Sequence, residues 1–303
     1  MKAVTRITFL DEADDKFFGE GPARLLHGIE EKGSLRAAAM SMDMAYTKAL
    51  RILKKAEAAL GFSLTTRSTG GKDGGGSRLT AEGKTWLASY EAYRDACVAA
   101  NRSLYRRFFP KTGCVIMASG LGKRFGGNKL MAELHGKPMI LRALEATEGL
   151  FSCRVVVTRH ESVAALCRER DVDVVLHDLP GRNDTVRLGL EALGDLDCCM
   201  FLPGDQPLLR RETVAMLLEA WKDAPGNILR PAYEGDEGSP VLFPAWAFPE
   251  LTALPEGKGG NCVIRSHPDR VTAVNISDPY ELMDVDTPET LQLLQQIYGS
   301  GRG

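Results

Sequence analysis

The stretch Cys114–Leu130, CVIMASGLGKRFGGNKL, constrains this chain more than any other. Its opening residues, Cys114–Met117, are apolar and form a run short enough for a buried strand. The run breaks into a loop that holds Gly120, Gly122, Gly126 and Gly127 together with Lys123, Arg124 and Lys129. Glycines let backbone N–H groups approach a polyanion closely, and cations offset the charge that grows as a phosphorus–oxygen bond breaks. A strand, a loop of this kind and then Lys129-Leu130 fit a nucleoside triphosphate clamp. No Gly-Lys-Ser/Thr follows, and the dinucleotide fingerprint is missing, so the two commonest phosphate loops are excluded. Taken alone, the loop could equally be a glycine-rich surface turn that carries lysines. The motifs downstream decide against that.

At 303 residues the chain suits two domains, expected at 1–108 and 113–303. Its net charge of −2 hides an asymmetry. Residues 1–110 carry 18 Lys/Arg against 13 Asp/Glu, and the remainder carries 20 against 27. The N-terminal excess lies between Arg36 and Arg78, a local basic surface of the sort that attracts a phosphate backbone. Seven cysteines, odd in number and never spaced Cys-x-x-Cys, read as reduced core residues of a cytoplasmic protein. No apolar run approaches the roughly 20 residues needed to span a bilayer. The N-terminus has no secretory pattern, and no membrane partner is expected.

The first 110 residues carry helix signals. Gly21-Pro22 opens a pattern with Leu25, Leu26 and Ile29 on one face. Ser34 is placed to cap an alanine-rich helix over 35–40, and a third helix is expected from Met44 to Leu60. That third helix presents Tyr46, Thr47, Lys48 and Arg51 outward, as in a helix-turn-helix. Next come Ser63–Arg67, the glycine-dense STGGKDGGGS with Lys72, and Arg78-Leu79, read as two strands around a wing. Thr80 then caps a long helix to about Arg107.

Beyond Gly113, strands expected at 114–117, 154–158, 172–176 and 199–202 alternate with helices at 138–147, 161–170, 184–193 and 211–222. This cadence implies a parallel sheet with helices on both faces, and ligands beyond the carboxyl ends of its strands. The unusual loops fall there. HDLPGRNDTVRLGLEAL carries Asp178, Arg182, Asn183 and Thr185 into a helix. FLPGDQP ends a strand on Gly204 and Asp205, and MDVDTPE sets Asp286 before another helix. Two carboxylates on separate loops could hold one Mg²⁺ against phosphate, because hard cations choose oxygen. GSPVLFP adds Gly238, Ser239 and Pro240.

Two resemblances follow from these residues. The segments GPARLLHGIEEKGSLRAAAMSMDMAYTKALRILKKAE and TGGKDGGGSRLTAEGK resemble the N-terminal domain of the molybdate-responsive transcriptional regulators. That likeness implies double-stranded DNA binding through Tyr46, Thr47, Lys48, Arg51, Lys72 and Arg78, as a homodimer. Residues 113–298, through the four motifs, resemble nucleotidyltransferases of the molybdenum cofactor cytidylyltransferase type. The implied fold is α/β overall: a winged helix-turn-helix followed by a Rossmann-like domain with a mostly parallel sheet. The implied reaction transfers CMP from CTP to molybdopterin with Mg²⁺ and releases pyrophosphate; a molybdoenzyme or its chaperone would receive the product. By position, Ala118, Ser119, Gly120, Leu121, Gly122, Lys123 and Arg124 would cradle the triphosphate, and Lys129 would reach the α-phosphate. Asp205 and Asp286 would ligate the metal, and Gly238–Pro240 would meet the pterin. The family's frequent histidine in that segment is Ser239 here. Other readings stay open: a GTP-using enzyme, a sugar- or polyol-phosphate nucleotidyltransferase, and a regulator that uses the same domain as a ligand sensor.

Overall fold

In the computed structural model, which describes residues 3–67 and 76–299, the chain divides into two compact units, Met1–Tyr105 and Arg106–Gly303. The first unit opens with an antiparallel hairpin, β1 (Thr8–Leu10) with β2 (Lys16–Gly19), which the sequence pattern does not announce. Helix α1 (Glu20–Lys32) buries Ala23, Leu25, Leu26 and Ile29. Ser34 caps α2 (Leu35–Ser41) by accepting from the Ala37 N–H. Helix α3 (Tyr46–Leu60) starts two residues later than expected and buries Ala49, Leu53 and Ala56. Strands β3 (Thr65–Arg67) and β4 (Ser77–Leu79) pair antiparallel; the glycine tip between them, with Lys72, lies outside the described residues. The Thr80 hydroxyl accepts from the Gly83 N–H at 2.8 Å and opens α4 (Ala81–Phe108).

The second unit is a Rossmann-like α/β domain. Strand β5 (Thr112–Ala118) leads through a small hairpin, β6 (Glu133–Leu134) and β7 (Lys137–Pro138), into α5 (Met139–Thr147). There follow β8 (Cys153–Thr158), α6 (Glu161–Arg168), β9 (Asp173–Leu176), α7 (Arg182–Leu193), β10 (Cys198–Pro203) and α8 (Arg211–Asp223). The remainder adds β11 (Ile228–Tyr233), β12 (Asp236–Glu237), β13 (Val241–Pro244), α9 (Phe248–Thr252), α10 (Asn261–Ser266), β14 (Val271–Asn275) and α11 (Pro288–Gly299).

The sheet runs β12-β11-β13-β10-β5-β8-β9, with β14 parallel to β11. Strands β10, β5, β8 and β9 are mutually parallel, and β13 is inserted antiparallel between β10 and β11. Residues along β5 alternate between the two faces: Cys114, Ile116 and Ala118 join a core with Ile140, Met200 and Leu217, and Val115 joins one with Val157, Val186 and Phe201. Helix α7 lies so close to β5 that a Cβ at Gly189 would come within 2.5 Å of the Val115 side chain. The register sets Ala118 opposite Thr158, Thr158 opposite Leu176, and Pro203 opposite Met117. Four loops therefore leave the carboxyl edge of the sheet at one level, where ligands of such sheets bind.

Candidate active site

The Gly/cation loop leaves β5 at Ala118, whose carbonyl accepts from the Thr158 hydroxyl at 2.9 Å. The Ser119 hydroxyl donates to the Val157 carbonyl at 3.1 Å and lies 2.8 Å from His177 Nε2. His160 Nε2 is 2.9 Å from the Gly120 carbonyl. Leu121, Lys123 and Arg124 are exposed. Gly122 adopts φ +57, and a Cβ there would meet the Gly127 carbonyl at 2.1 Å, so no other residue fits. Its own carbonyl accepts from the Phe125 and Gly126 N–H groups at 2.9 and 3.0 Å, closing the turn. Phe125 packs on an apolar cluster of Leu134, Met139, Val285 and Leu294. The loop is thus held at both ends, with its cations outward.

Beneath it lies a compact charge centre. Lys129 is 7% exposed, and its Nζ sits 2.5 Å from Asp205 and 2.7 Å from Asp286. Arg124 reaches the second oxygen of Asp286 at 3.1 Å. Burial works against the Lys129 charge, but the bonds to Asp205 and Asp286 outweigh it and hold its pKa above the ordinary lysine value. Asp205 follows Gly204, whose N–H donates to the Met117 carbonyl, and the Asp205 carbonyl accepts from the Val285 N–H at 2.9 Å. Val285 is fully buried while Asp284 and Asp286 turn the other way, as extended chain dictates. Asp284 is exposed, yet the protein mass around it, followed by the Asp205 charge, pushes its carboxyl up to about 6. Upstream, buried Glu281 accepts from the Arg210 N–H at 3.0 Å and from its guanidinium at 2.8 and 2.5 Å, pinning the Asp286 segment to the loop after β10. The pinning pair Glu281 and Arg210 was not singled out by the sequence reading.

Asp205 and Asp286, from two loops, converge on a single cationic atom. Mg²⁺ takes one or two carboxylates from a protein when phosphates supply the rest of its shell, so this donor set fits it. Among the described residues no group of three or more His, Cys, Asp or Glu is arranged to hold a metal unaided.

The opposite wall differs from expectation. Helix α7 begins at Arg182, not at 184, because the Asp184 carboxylate accepts from the Gly181 N–H at 2.9 Å and pairs with Arg187 at 3.1 Å. The Asn183 amide donates to the Leu254 carbonyl at 2.8 Å, and Thr185 is only 5% exposed. Asp178 is exposed; the Arg182 side chain lies outside the described residues. Two residues that the sequence reading passed over stand here. Arg159 follows β8 and His177 follows β9, and each holds a side-chain nitrogen buried without a hydrogen-bond partner, Nε and Nδ1. The available signal was weak: a charged residue immediately after an apolar strand.

Gly238 is packed against Leu282, and its carbonyl accepts from Arg230 at 3.2 Å. Ser239 is half-buried and Pro240 buried, leading into β13. No hydrogen bond joins these three to Lys129, Asp205 or Asp286. In the first unit Thr47, Lys48, Arg51 and Arg78 are exposed. Tyr46 is half-buried with the Arg36 guanidinium 5.6 Å from its ring centre.

Against known families, residues 114–271 match the MobA-like NTP transferase domain, and residues 23–84 match the bacterial regulatory helix-turn-helix proteins of the lysR family. A bifunctional protein GlmU of Desulfitobacterium hafniense is 30% identical over 199 residues, 58% of this chain and 44% of the relative. A probable molybdenum cofactor guanylyltransferase of Aquifex aeolicus is 30% identical over 111 residues, 36% of this chain and 54% of the relative. Cytidylyltransferases are among the matches as well. The chain spans about half the length of these curated relatives. The crystal structure of Rv0371c from Mycobacterium tuberculosis shares the fold, with TM-score 0.54 and 23% identity over 62% of this chain and 98% of that one.

Proposed function

The chain belongs to the MobA-like NTP transferase domain family, and from that premise we propose that it transfers CMP from CTP to molybdopterin with Mg²⁺, while its helix-turn-helix unit dimerises and binds duplex DNA. The observation that carries the enzymatic reading is Lys129 held between Asp205 and Asp286. These are the cation and the two oxygen donors that α-phosphate chemistry requires, gathered from three loops at the carboxyl edge of the sheet.

When a nucleotide binds, its phosphates compete with the carboxylates for Lys129 and Arg124. Lys129 then faces the α-phosphate, and Lys123 with the backbone of Ser119–Gly122 surrounds the outer phosphates. Asp205 and Asp286 would hold Mg²⁺, which supplies charge neutralisation on the phosphate oxygens. The acceptor's phosphate oxygen attacks in line, the α–β bond breaks, and pyrophosphate leaves carrying the bond electrons. That nucleophile is already ionised at neutral pH, so no general base is needed. Catalysis reduces to positioning and electrostatic stabilisation.

Molybdopterin is supported by the motif set PGDQP, GSPVLF and DVDTP and by the curated guanylyltransferase relatives. CTP is supported by the likeness of Arg182–Val186 to the corresponding segment of methylerythritol-phosphate cytidylyltransferases. The test is pyrophosphate release from molybdopterin-loaded enzyme with CTP and GTP in competition. A kcat/KM ratio in favour of GTP would overturn the cytidylyl assignment. For the first unit, the lysR-type match and the exposed Thr47, Lys48, Arg51 and Arg78 support duplex binding that weakens steeply with salt. No mobility shift of its own upstream DNA at low salt would leave only dimerisation.

A further inference from the structure

The unused polar groups of the site are concentrated at one place. Pairing of Ala118, Thr158 and Leu176 across three parallel strands sets Ser119, Arg159 and His177 side by side at the sheet edge. Among the described residues of this unit, Arg159 is the one cation that is not exposed and has neither a hydrogen bond nor an ion pair, and its Nε is buried. A guanidinium cannot shed its charge, so a half-buried one without a counter-group is costly unless something binds to it.

The protonation of His177 follows from its neighbour. Ser119 has one hydroxyl proton, and the Val157 carbonyl 3.1 Å away can only accept it. The 2.8 Å contact between Ser119 and His177 must then be donated by His177 Nε2, which leaves Nδ1 as a lone pair. Burial, and next the Arg159 charge, hold the imidazole below its usual pKa, in keeping with that neutral form. Nδ1 has no donor. The site therefore offers two N–H donors on one edge of the Arg159 fork and one acceptor on His177.

We propose that Arg159 and His177 read the nucleobase: Arg159 donates to O2 and N3 of cytosine, and His177 Nδ1 accepts from its 4-amino group. The order donor, donor, acceptor is the complement of cytosine's pairing edge. Uracil fails because its N3 carries a proton, which would oppose the guanidinium donor. Adenine fails because its pairing edge has a single acceptor. This inference rests on the nucleotidyltransferase reading and deepens it. It moves base selection from the 182–187 segment, where Asn183 is already bonded to Leu254 and Thr185 is covered, to the ends of β8 and β9.

The test is calorimetric binding of CTP, UTP and inorganic tripolyphosphate to the full-length protein with Mg²⁺ and no acceptor, so that no turnover occurs. The wild type is expected to prefer CTP over UTP by about tenfold or more, the size of one good bidentate contact. Arg159→Met should bring CTP down to the UTP level while tripolyphosphate affinity and the melting temperature stay unchanged. Arg159→Lys, which keeps the charge and loses the fork, should not restore the preference. A parallel loss of CTP and tripolyphosphate would make Arg159 a phosphate ligand and overturn the proposal. An unaltered CTP-to-UTP ratio in Arg159→Met, full rescue by lysine, or no wild-type preference would overturn it too. A wild type that binds tripolyphosphate and neither nucleotide would sink this inference alone; one that binds none of the three would sink the nucleotidyltransferase reading with it.

Discussion

Lys129 has two carboxylates within 2.7 Å, and Arg159 has no partner at all. Both belong to the same carboxyl edge of one sheet, yet they belong to ends that are prepared differently. The phosphate end is internally neutralised: Arg124 and Lys129 stand in for the metal against Asp205 and Asp286, so the loop can stay ordered before a nucleotide arrives. The other end keeps a donor fork and a lone pair unpaired. Buried polar groups without partners are uncommon in folded proteins, and their concentration beside a phosphate loop is what a recognition surface requires. Charge that must be present with or without ligand is balanced locally, and selectivity is left to groups that only the right ligand satisfies.

The largest effect is expected where the neutralised end is broken. Asp205→Asn or Asp286→Asn should cut pyrophosphate release by about 10³-fold, the scale of losing a transition-state electrostatic contact. Circular dichroism should be unchanged, because each residue is held through its backbone and its neighbours. Near-wild-type turnover of either variant at saturating Mg²⁺ would remove that residue from the metal site. Next comes Lys129→Met, expected to lower kcat by about 10²-fold with little change in nucleotide affinity, since charge on the α-phosphate grows during the reaction. The same variant frees the two carboxylates, so Mn²⁺ should bind the nucleotide-free protein more tightly, read by paramagnetic resonance. Equal loss of kcat and affinity would make Lys129 a ground-state contact. Unchanged Mn²⁺ binding would mean that its cation does not compete with a metal.

The same contrast separates what could be read from the sequence. Lys123, Arg124, Lys129, Asp205 and Asp286 all sit in local motifs, where glycine, proline and charge interrupt apolar runs, and each announces a strand end. The parallel sheet followed from the alternation of those runs, and the capped helices of the first unit from Ser34 and Thr80. Arg159 and His177 have no such setting: each follows an ordinary apolar run, and only the β5–β8–β9 register brings them together. The antiparallel β13 is also a product of pairing rather than of local pattern, because a four-residue apolar strand reads alike in either direction. The start of α7 was misjudged because the Asp184 bond to the Gly181 N–H extends the helix over Arg182 and Asn183.

The smallest expected effect probes how complete the neutralisation is. Asp284 shares the edge with Asp205 and Asp286, and its carboxyl is raised to about 6. A raised carboxyl holds its proton more tightly in the folded protein than in the unfolded one. Stability from this group is therefore fully present below the ordinary aspartate pKa, is lost as pH climbs towards about 6, and stays lost above it. Asp284→Asn removes the ionisation. In chelator and without nucleotide, the variant should match the wild type near pH 4 and be the more stable at pH 8. Because Asp284 is exposed and solvent screens it, the gain should be about 1 kcal/mol, a shift of roughly 2–4 °C for a domain of this size. Melting curves across that range read the result. A gap that fails to open between pH 4 and pH 8 would mean that Lys129 and Arg124 cancel the charge of Asp205 and Asp286 completely, leaving Asp284 nothing to repel. A gap that opens would show residual negative charge at the phosphate end, available to a divalent cation even while Lys129 is in place.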